Sequence, residues 1–441
     1  MTQKTISGFS KLSKRGKIKW IVENFFTDPE AVMRELSSYW HSNEDQQKIL
    51  DGISENTISN YPLPLGVAPN FVINGITYAV PMVTEESSVV AAASSAAKFW
   101  MKRGGFKAEV TDMKKVGQLH FLWRGSSEKL QTLFPEIKEK LIADAYEITN
   151  KMENRGGGIL DVRLRDLDTD IANYHQIFAE FDTRDSMGAN FVNSIMERFA
   201  ESLEQYFFEK QDLPIEEKDI EINMRILSNY TPECLAHVEV SCPIEELGSF
   251  EGDISSASFA NRFYTAVRIA EIDSYRATTH NKGIFNGVDA VVLATANDFR
   301  AVEACGHTWA ARNGMYSSLS HCSLDDGIFR FWMDLPLAVG TIGGLTSIHP
   351  IAKRSVELLG NPDSRELMMI IASVGLAQNF AALRSLVTTG IQKGHMKMHL
   401  PNILNQMEAT DEEKVDAKEW FENRKVSFTT VRSWLEDRRD S

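Results

Sequence analysis

The chain reads as an α+β protein: a large, mostly helical body, interrupted by one sheet unit and followed by a small helical appendage. Three observations predict this. Apolar residues recur at helical spacing over 15–50, 255–275 and 363–389, on both sides of the chain's middle. Between them, over about 112–221, periods of two and of 3.6 alternate in the order β-α-β-β-α-β. From Thr410 the composition turns polar, and Thr410-Asp411-Glu412-Glu413 fits a capping box ahead of two short amphipathic helices.

The elements follow in order. After the helices of 15–50, Tyr61 to Asn70 is too rich in Pro and Gly for a helix. Phe71 to Met82 suits a hairpin around Asn74-Gly75, a strong turn dipeptide. Thr84-Glu85-Glu86-Ser87 then opens a helix that runs through five alanines to Lys102, where Gly104-Gly105 stops it. In the middle stretch, Val116 to Trp123 alternates as a strand, and Ser127 to Met152 is helical with Pro135 interrupting. Leu160, Val162 and Leu164 mark a half-buried strand, and Ile177, Ala179 and Phe181 mark another. Val192, Ile195, Met196, Phe199, Leu203, Tyr206 and Phe207 form one helical stripe; Ile220 to Ile226 is the last strand. That order is the ferredoxin-like unit, which needs roughly a hundred residues. It reads as a domain, 112–221, inserted into a body made of 1–111 and 222–390. Within that body Val288 to Thr295, a continuous apolar run, reads as a central strand. Residues 391–441 form the appendage, attached through Gly390 and Gly394.

Hydrophobic residues make up 43% and charged residues 24%, which excludes a disordered chain. A net charge of −14 argues against general nucleic-acid binding, which needs a cationic surface. No run of eighteen apolar residues suggests a membrane span, and the start lacks the apolar stretch of a signal peptide. Cys234, Cys242, Cys305 and Cys322 include no Cys-x-x-Cys, so buried free thiols in a reducing cytoplasm are expected.

Familiar nucleotide loops are missing: there is no G-x-G-x-x-G between strand and helix, and no G-x-x-x-x-G-K-[ST]. Asp185-Ser186-Met187-Gly188-Ala189-Asn190 sits between a strand and the stripe helix. It reads equally as a helix cap and as a phosphate cradle of backbone amides. Glu85 and Glu86 stand at a helix start, as a cap or, given burial, as a catalytic acid. Lys282, between a long helix and the apolar run, is a surface loop residue or an oxyanion stabiliser. Asp298 follows the carboxyl end of that run, where ligands of layered folds bind. His395 and His399 could share a helix face as metal ligands do, but the glutamate of H-E-x-x-H and a third ligand are missing. One histidine donating a proton behind a glycine hinge is the more economical reading, and no metal is expected.

In joint order and spacing these segments resemble class II 3-hydroxy-3-methylglutaryl-CoA (HMG-CoA) reductase, the soluble bacterial and archaeal form. The likeness covers nearly the whole chain. It runs from Gly8-Phe9-Ser10-Lys11-Leu12-Ser13 through Glu55-Asn56, Pro64-Leu65-Gly66-Val67-Ala68 and Pro81 to Ala92. It continues in Asp185 to Asn190, Thr279-His280-Asn281-Lys282-Gly283 and Asn297-Asp298. Gly375-Leu376-Ala377-Gln378-Asn379 and Gly394-His395-Met396 complete it.

The resemblance implies two successive hydride transfers from NADH or NADPH, reducing HMG-CoA to mevalonate and free coenzyme A. It implies that Lys282 stabilises the oxyanion, that Glu86 donates a proton, and that Asp298 bridges the two. His395, on the C-terminal flap, would protonate the departing CoA thiolate. Ser88, Asn229 and Arg276 would hold the HMG group or CoA; Asp185, Met187, Gly188 and Asn190 would hold the cofactor on the ferredoxin-like domain. A homodimer or an assembly of dimers, with the active site at the subunit boundary, is implied too, with no membrane and no nucleic-acid partner. There are departures. Ser186 stands where alanine is usual, Leu400-Pro401-Asn402 replaces a stretch that is often basic, and 208–219 reads as an extra loop. The alternative from another class is a non-catalytic acyl-CoA or nucleotide-binding protein on the same scaffold.

Overall fold

The structure is a computed structural model that describes residues 4–165, 167, 169–250, 253–388, 400–421, 424 and 426–440. Helices α1 (Lys14–Phe25), α2 (Pro29–Ser38) and α3 (Glu44–Asp51) open the chain. The side chains of Ser13, Asp28 and Asn43 cap them by accepting free first-turn amides. Strands β1 (Leu65–Ile73) and β2 (Ile76–Val83) then form an antiparallel hairpin. Asn74 and Gly75 turn it with φ of 49° and 84°, which is why those residue types stand there. Helix α4 (Val89–Met101) and strand β3 (Lys107–Val110) follow.

The middle stretch holds β4 (Lys115–Trp123), α5 (Ser127–Asp144), α6 (Tyr146–Glu153), β5 (Gly158–Arg165), β6 (Tyr174–Asp182), α7 (Ala189–Glu209), α8 (Ile215–Lys218) and β7 (Ile220–Ser228). Its sheet is antiparallel throughout, in the order β5-β6-β4-β7. Leu119, Phe121, Ile177, Ala179 and Phe181 pack with Val192, Ile195 and Phe199 of α7 into a core of their own. Helix α5 runs through Pro135 and breaks at Ala145 instead. The stretch 208–219 is more than a loop. Short α8 lies there, the indole Nε1 of Trp123 donates to Glu217 O at 2.6 Å, and Lys129 pairs with the Glu217 carboxylate.

The last part adds β8 (Leu235–Pro243), α9 (Ser256–Ile272), α10 (Ser274–Ala294), α11 (Phe299–Ala310), β9 (Ser320–Ser323), β10 (Ile328–Pro336), α12 (Gly344–Ile348), α13 (Pro350–Leu358) and α14 (Ser364–Val387). A second antiparallel sheet, in the order β3-β8-β10-β9, joins strands from before and after the middle stretch. Its buried residues share one core with α4, α9, α10 and α14. Helix α14 is long and apolar enough to span a membrane by length and composition, although polar residues interrupt its apolar run; most of it is buried in this core. Helices α10 and α14 meet at glycines. A Cβ on Gly287 would lie 2.9 Å from Val374 O, and one on Gly375 would lie 2.8 Å from Val288.

The run Val288 to Thr295 is not a strand but the last turns of α10. Buried on several faces, it loses the polar stripe that marks a surface helix, so a short apolar run cannot be told from a strand by period. The four cysteines are buried and free, and burial pushes the thiols of Cys234 and Cys242 up to about 11. Thr410 and Glu413 form the expected capping box, and helices Asp411–Trp420 and Phe428–Arg439 follow. Leu400, Leu404, Phe421, Val431 and Leu435 give this end a separate small core. Gly390 and Gly394 lie outside the described residues.

Candidate active site

Glu86 lies in the link between β2 and α4, not inside a helix; the helix starts only after Ser88, at φ 85°. Thr84 Oγ1 accepts the Glu86 amide at 3.2 Å and fixes this turn. Lys282 is not in a loop either. It stands inside α10, and its neighbours clamp that helix: Asn281 bonds Ser317 O and the Leu319 amide, and His280 bonds Ser320 Oγ at 2.6 Å. Burial pushes His280 down to about 3, so it is neutral at ordinary pH. With its flanks locked, Lys282 reaches outward and donates to Glu86 Oε2 at 3.0 Å.

The pair opens on a cavity of about 400 Å³, lined also by Ser88, Arg276, Gln378 and Arg384. Arg384 is held by Ser95 Oγ at 2.8 Å. Burial lowers the pKa of both guanidiniums, yet an arginine stays charged at any physiological pH. Three cations therefore face one carboxylate, a field that favours an anionic ligand. Sequence reading missed Arg384. Its signal was available, because it is the first charged residue after Glu366 in an otherwise apolar helix.

A second region lies at the start of α7. Gly188 precedes the helix at φ 86°, and a Cβ there would lie 2.5 Å from Thr183. No side chain caps this terminus in the usual way, so first-turn amides stay open to a ligand. Met187, Gly188 and Asn190 line a cleft of about 140 Å³ here, with Asn297 and Gly340. Asp185 does not line it. Its Oδ1 accepts the Ser364 amide at 2.9 Å, and its carbonyl accepts the amides of Thr341 and Ile342. Asp185 therefore braces the loop against the start of α14.

Asp298 caps α11 and pairs with the Arg300 guanidinium at 3.0 Å. It lines a small cavity of about 70 Å³ with Asn229, Met187 and Gly188. Within one chain Asp298 makes no bond to Lys282 or Glu86, and Asn229 is grouped with the loop and not with Ser88 and Arg276. Asp298 also follows a helix, since the run before it is the end of α10. His395 and His399 lie outside the described residues. Among the described residues no three His, Cys, Asp or Glu side chains converge as metal ligands would.

A lysine–carboxylate pair in a cationic cavity, with an open helix terminus elsewhere in the same chain, can stabilise charge on a carbonyl oxygen and hold a phosphate-bearing ligand. Comparison with known families places it further. The family model described as hydroxymethylglutaryl-coenzyme A reductase matches residues 19–400, and the chain belongs to that family. It is 36% identical over 411 residues to 3-hydroxy-3-methylglutaryl-coenzyme A reductase of Archaeoglobus fulgidus, covering 92% of this chain and 88% of the relative. Among solved structures it is similar to the class II enzyme of Streptococcus pneumoniae bound to NADPH in open conformations. That match has a TM-score of 0.71 and 33% identity, covering 94% of this chain and 100% of the other. A second structure of the Streptococcus pneumoniae enzyme matches with a TM-score of 0.72 and 32% identity, covering 98% and 100%.

Proposed function

We propose that this chain reduces the thioester of HMG-CoA to mevalonate and free coenzyme A, with NADPH or NADH as reductant. The observation that carries the reading is the Lys282–Glu86 pair in the cationic cavity. Lys282 stabilises negative charge on the carbonyl oxygen, where a placed cation acts most strongly as charge develops. Glu86, hydrogen-bonded to Lys282, delivers the proton that the reduced oxygen needs. Ser88 and Arg276 hold the substrate's carboxylate and hydroxyl, and Arg384 adds to the same field. His395 protonates the leaving thiolate.

The residues at the start of α7 fit a dinucleotide. Gly188 leaves a cradle that a Cβ would fill, and the open amides suit a phosphate. Met187, Gly188 and Asn190 would hold the cofactor, which when bound supplies hydride. We read 112–221 as a ferredoxin-like cofactor domain inserted into a body of 1–111 and 222–390, with 391–441 as a flap. The protein works as a homodimer in which Asp298 and the α7 loop of one copy face the Glu86–Lys282 cavity of the other. That accounts for their separation within one chain. Buried free thiols suit a reducing cytoplasm.

Purified protein given HMG-CoA should oxidise NADPH or NADH, followed by absorbance with both cofactors in parallel. No oxidation of either by folded protein would remove the reading and leave a non-catalytic binding protein.

A further inference from the structure

Strand β4 places alternate residues on the core face of its sheet: Gly117, Leu119, Phe121 and Trp123 all point inward. The same alternation puts Lys115, its first residue, at an inward position, and Lys115 is 4% exposed. An apolar side chain is what the pattern asks for there. A buried ammonium is costly unless every donor is used and nearby charge compensates it. Local rules broken in this way mark functional sites more often than faults.

The ammonium is seated under the α7 loop. It donates to Thr183 Oγ1 and, at 2.7 Å, to Ser186 O. Thr183 Oγ1 itself donates to Ser186 O at 2.7 Å, and the Ser186 amide returns to Thr183 O. Thr183 is also the side chain against which Gly188 fits without a Cβ. Lys115, from a strand distant in sequence, thus joins Thr183 and Ser186 in fixing the turn that aims the first amides of α7. Charge compensation comes from Asp182 on β6 and Asp185 in the loop, with Cys234 ahead of β8 also facing the lysine. Asp298 lines the neighbouring cavity. Burial still pulls Lys115 below its ordinary range. A cation beside a helix N-terminus is electrostatically strained, and an anion bound at that terminus relieves the strain.

We propose that Lys115 is a positioning residue for the dinucleotide site: it clamps Thr183 to Ser186 O so that the open amides after Gly188 are held ready for the cofactor's phosphates. This rests on the dinucleotide reading above. The lysine acts through the loop and does not touch substrate.

The test is Lys115→Met in the full chain, read three ways. Direct binding of NADPH, without HMG-CoA, should weaken by about tenfold or more, the scale of one hydrogen bond to a charged group. The KM for HMG-CoA should stay within about twofold, because only the cofactor's binding is lost. Amide hydrogen exchange over 186–190 in nucleotide-free protein should quicken, since the opening energy of that turn falls. Unchanged NADPH affinity, unchanged exchange, or an equal rise in both KM values overturns the proposal. Should Lys115→Met fail to fold, Thr183→Val removes the other side of the clamp at equal volume, and an unchanged NADPH affinity there overturns it too. If the wild-type chain binds no NADPH, the dinucleotide reading fails, and the exchange rates still decide whether Lys115 holds the turn.

Discussion

Lys282 Nζ lies 3.0 Å from Glu86 Oε2, joining residues 196 positions apart at the mouth of one cavity. Two separate supports make the pair possible. A short turn fixed by Thr84 holds the glutamate, and a helix clamped at Asn281 and His280 holds the lysine. Lys282 is itself largely exposed, so its replacement tests chemistry and not packing.

Lys282→Ala is expected to lower kcat by ~10²-fold or more, the scale for loss of an oxyanion donor. The melting temperature should stay within a few degrees, because an exposed ion pair contributes about 1 kcal/mol or less. Steady-state kinetics with a thermal melt checks both, and near-normal turnover would sink the oxyanion role.

Glu86→Gln keeps the shape and a hydrogen-bonding oxygen for Lys282 but cannot donate a proton. Turnover should fall by ~10²–10⁴-fold, the range for general acid catalysis, with substrate affinity nearly kept. A loss seen mainly in KM would make Glu86 a binding residue instead.

Gly188→Ala forces a Cβ to within 2.5 Å of Thr183 at a positive φ. It should destabilise the protein by ~1–3 kcal/mol and raise the KM for NADPH more than that for HMG-CoA. Equal effects on both substrates would separate this loop from the cofactor.

His237 and Asp334, opposite each other on β8 and β10, bond at 2.8 Å. That bond raises the histidine's pKa and lowers the aspartate's. The histidine's share of stability is complete below about pH 6.5 and is lost as pH rises through its raised value. The aspartate's share is present above about pH 4 and is lost as pH falls through its depressed value. The pair therefore stabilises most between these limits, by ~1 kcal/mol or less given its exposure. Asp334→Asn should lower stability most inside that window, measured by denaturant melts against pH. A constant difference at every pH would contradict the assignment.

Lys282→Ala and Asp298→Asn, each inactive alone, should recover part of the activity when the two variants are mixed and allowed to exchange subunits. Complementation requires that the two residues serve one site from different copies. No recovery in verified mixed dimers would place both in the same chain's site.

The fold was legible where a local rule acts alone. Asn74-Gly75 can hardly be anything but a hairpin turn, and Val162 and Leu164 alternate with Arg163 and Arg165 because one face of their strand is covered, whereas Leu160, at a register shift, is exposed. Legibility failed where burial erases the period, as at Val288 to Thr295, whose helical state is set by tertiary packing. It failed again at Lys115, because alternation read from Val116 onward leaves the preceding lysine outside the strand. For the site, the residue types and their order carried the family resemblance, but no spacing rule pairs residues as distant as Glu86 and Lys282. Nor could sequence show that Asp185 faces α14 and Asp298 faces Arg300; those directions depend on backbone brought together only by the fold.

The most direct test of the account is the ratio of NADPH or NADH oxidised to coenzyme A thiol released during complete conversion of HMG-CoA. Two reduced cofactors per thiol, with mevalonate as product, is the predicted result. One per thiol with free aldehyde, or thiol release without cofactor oxidation, would contradict it.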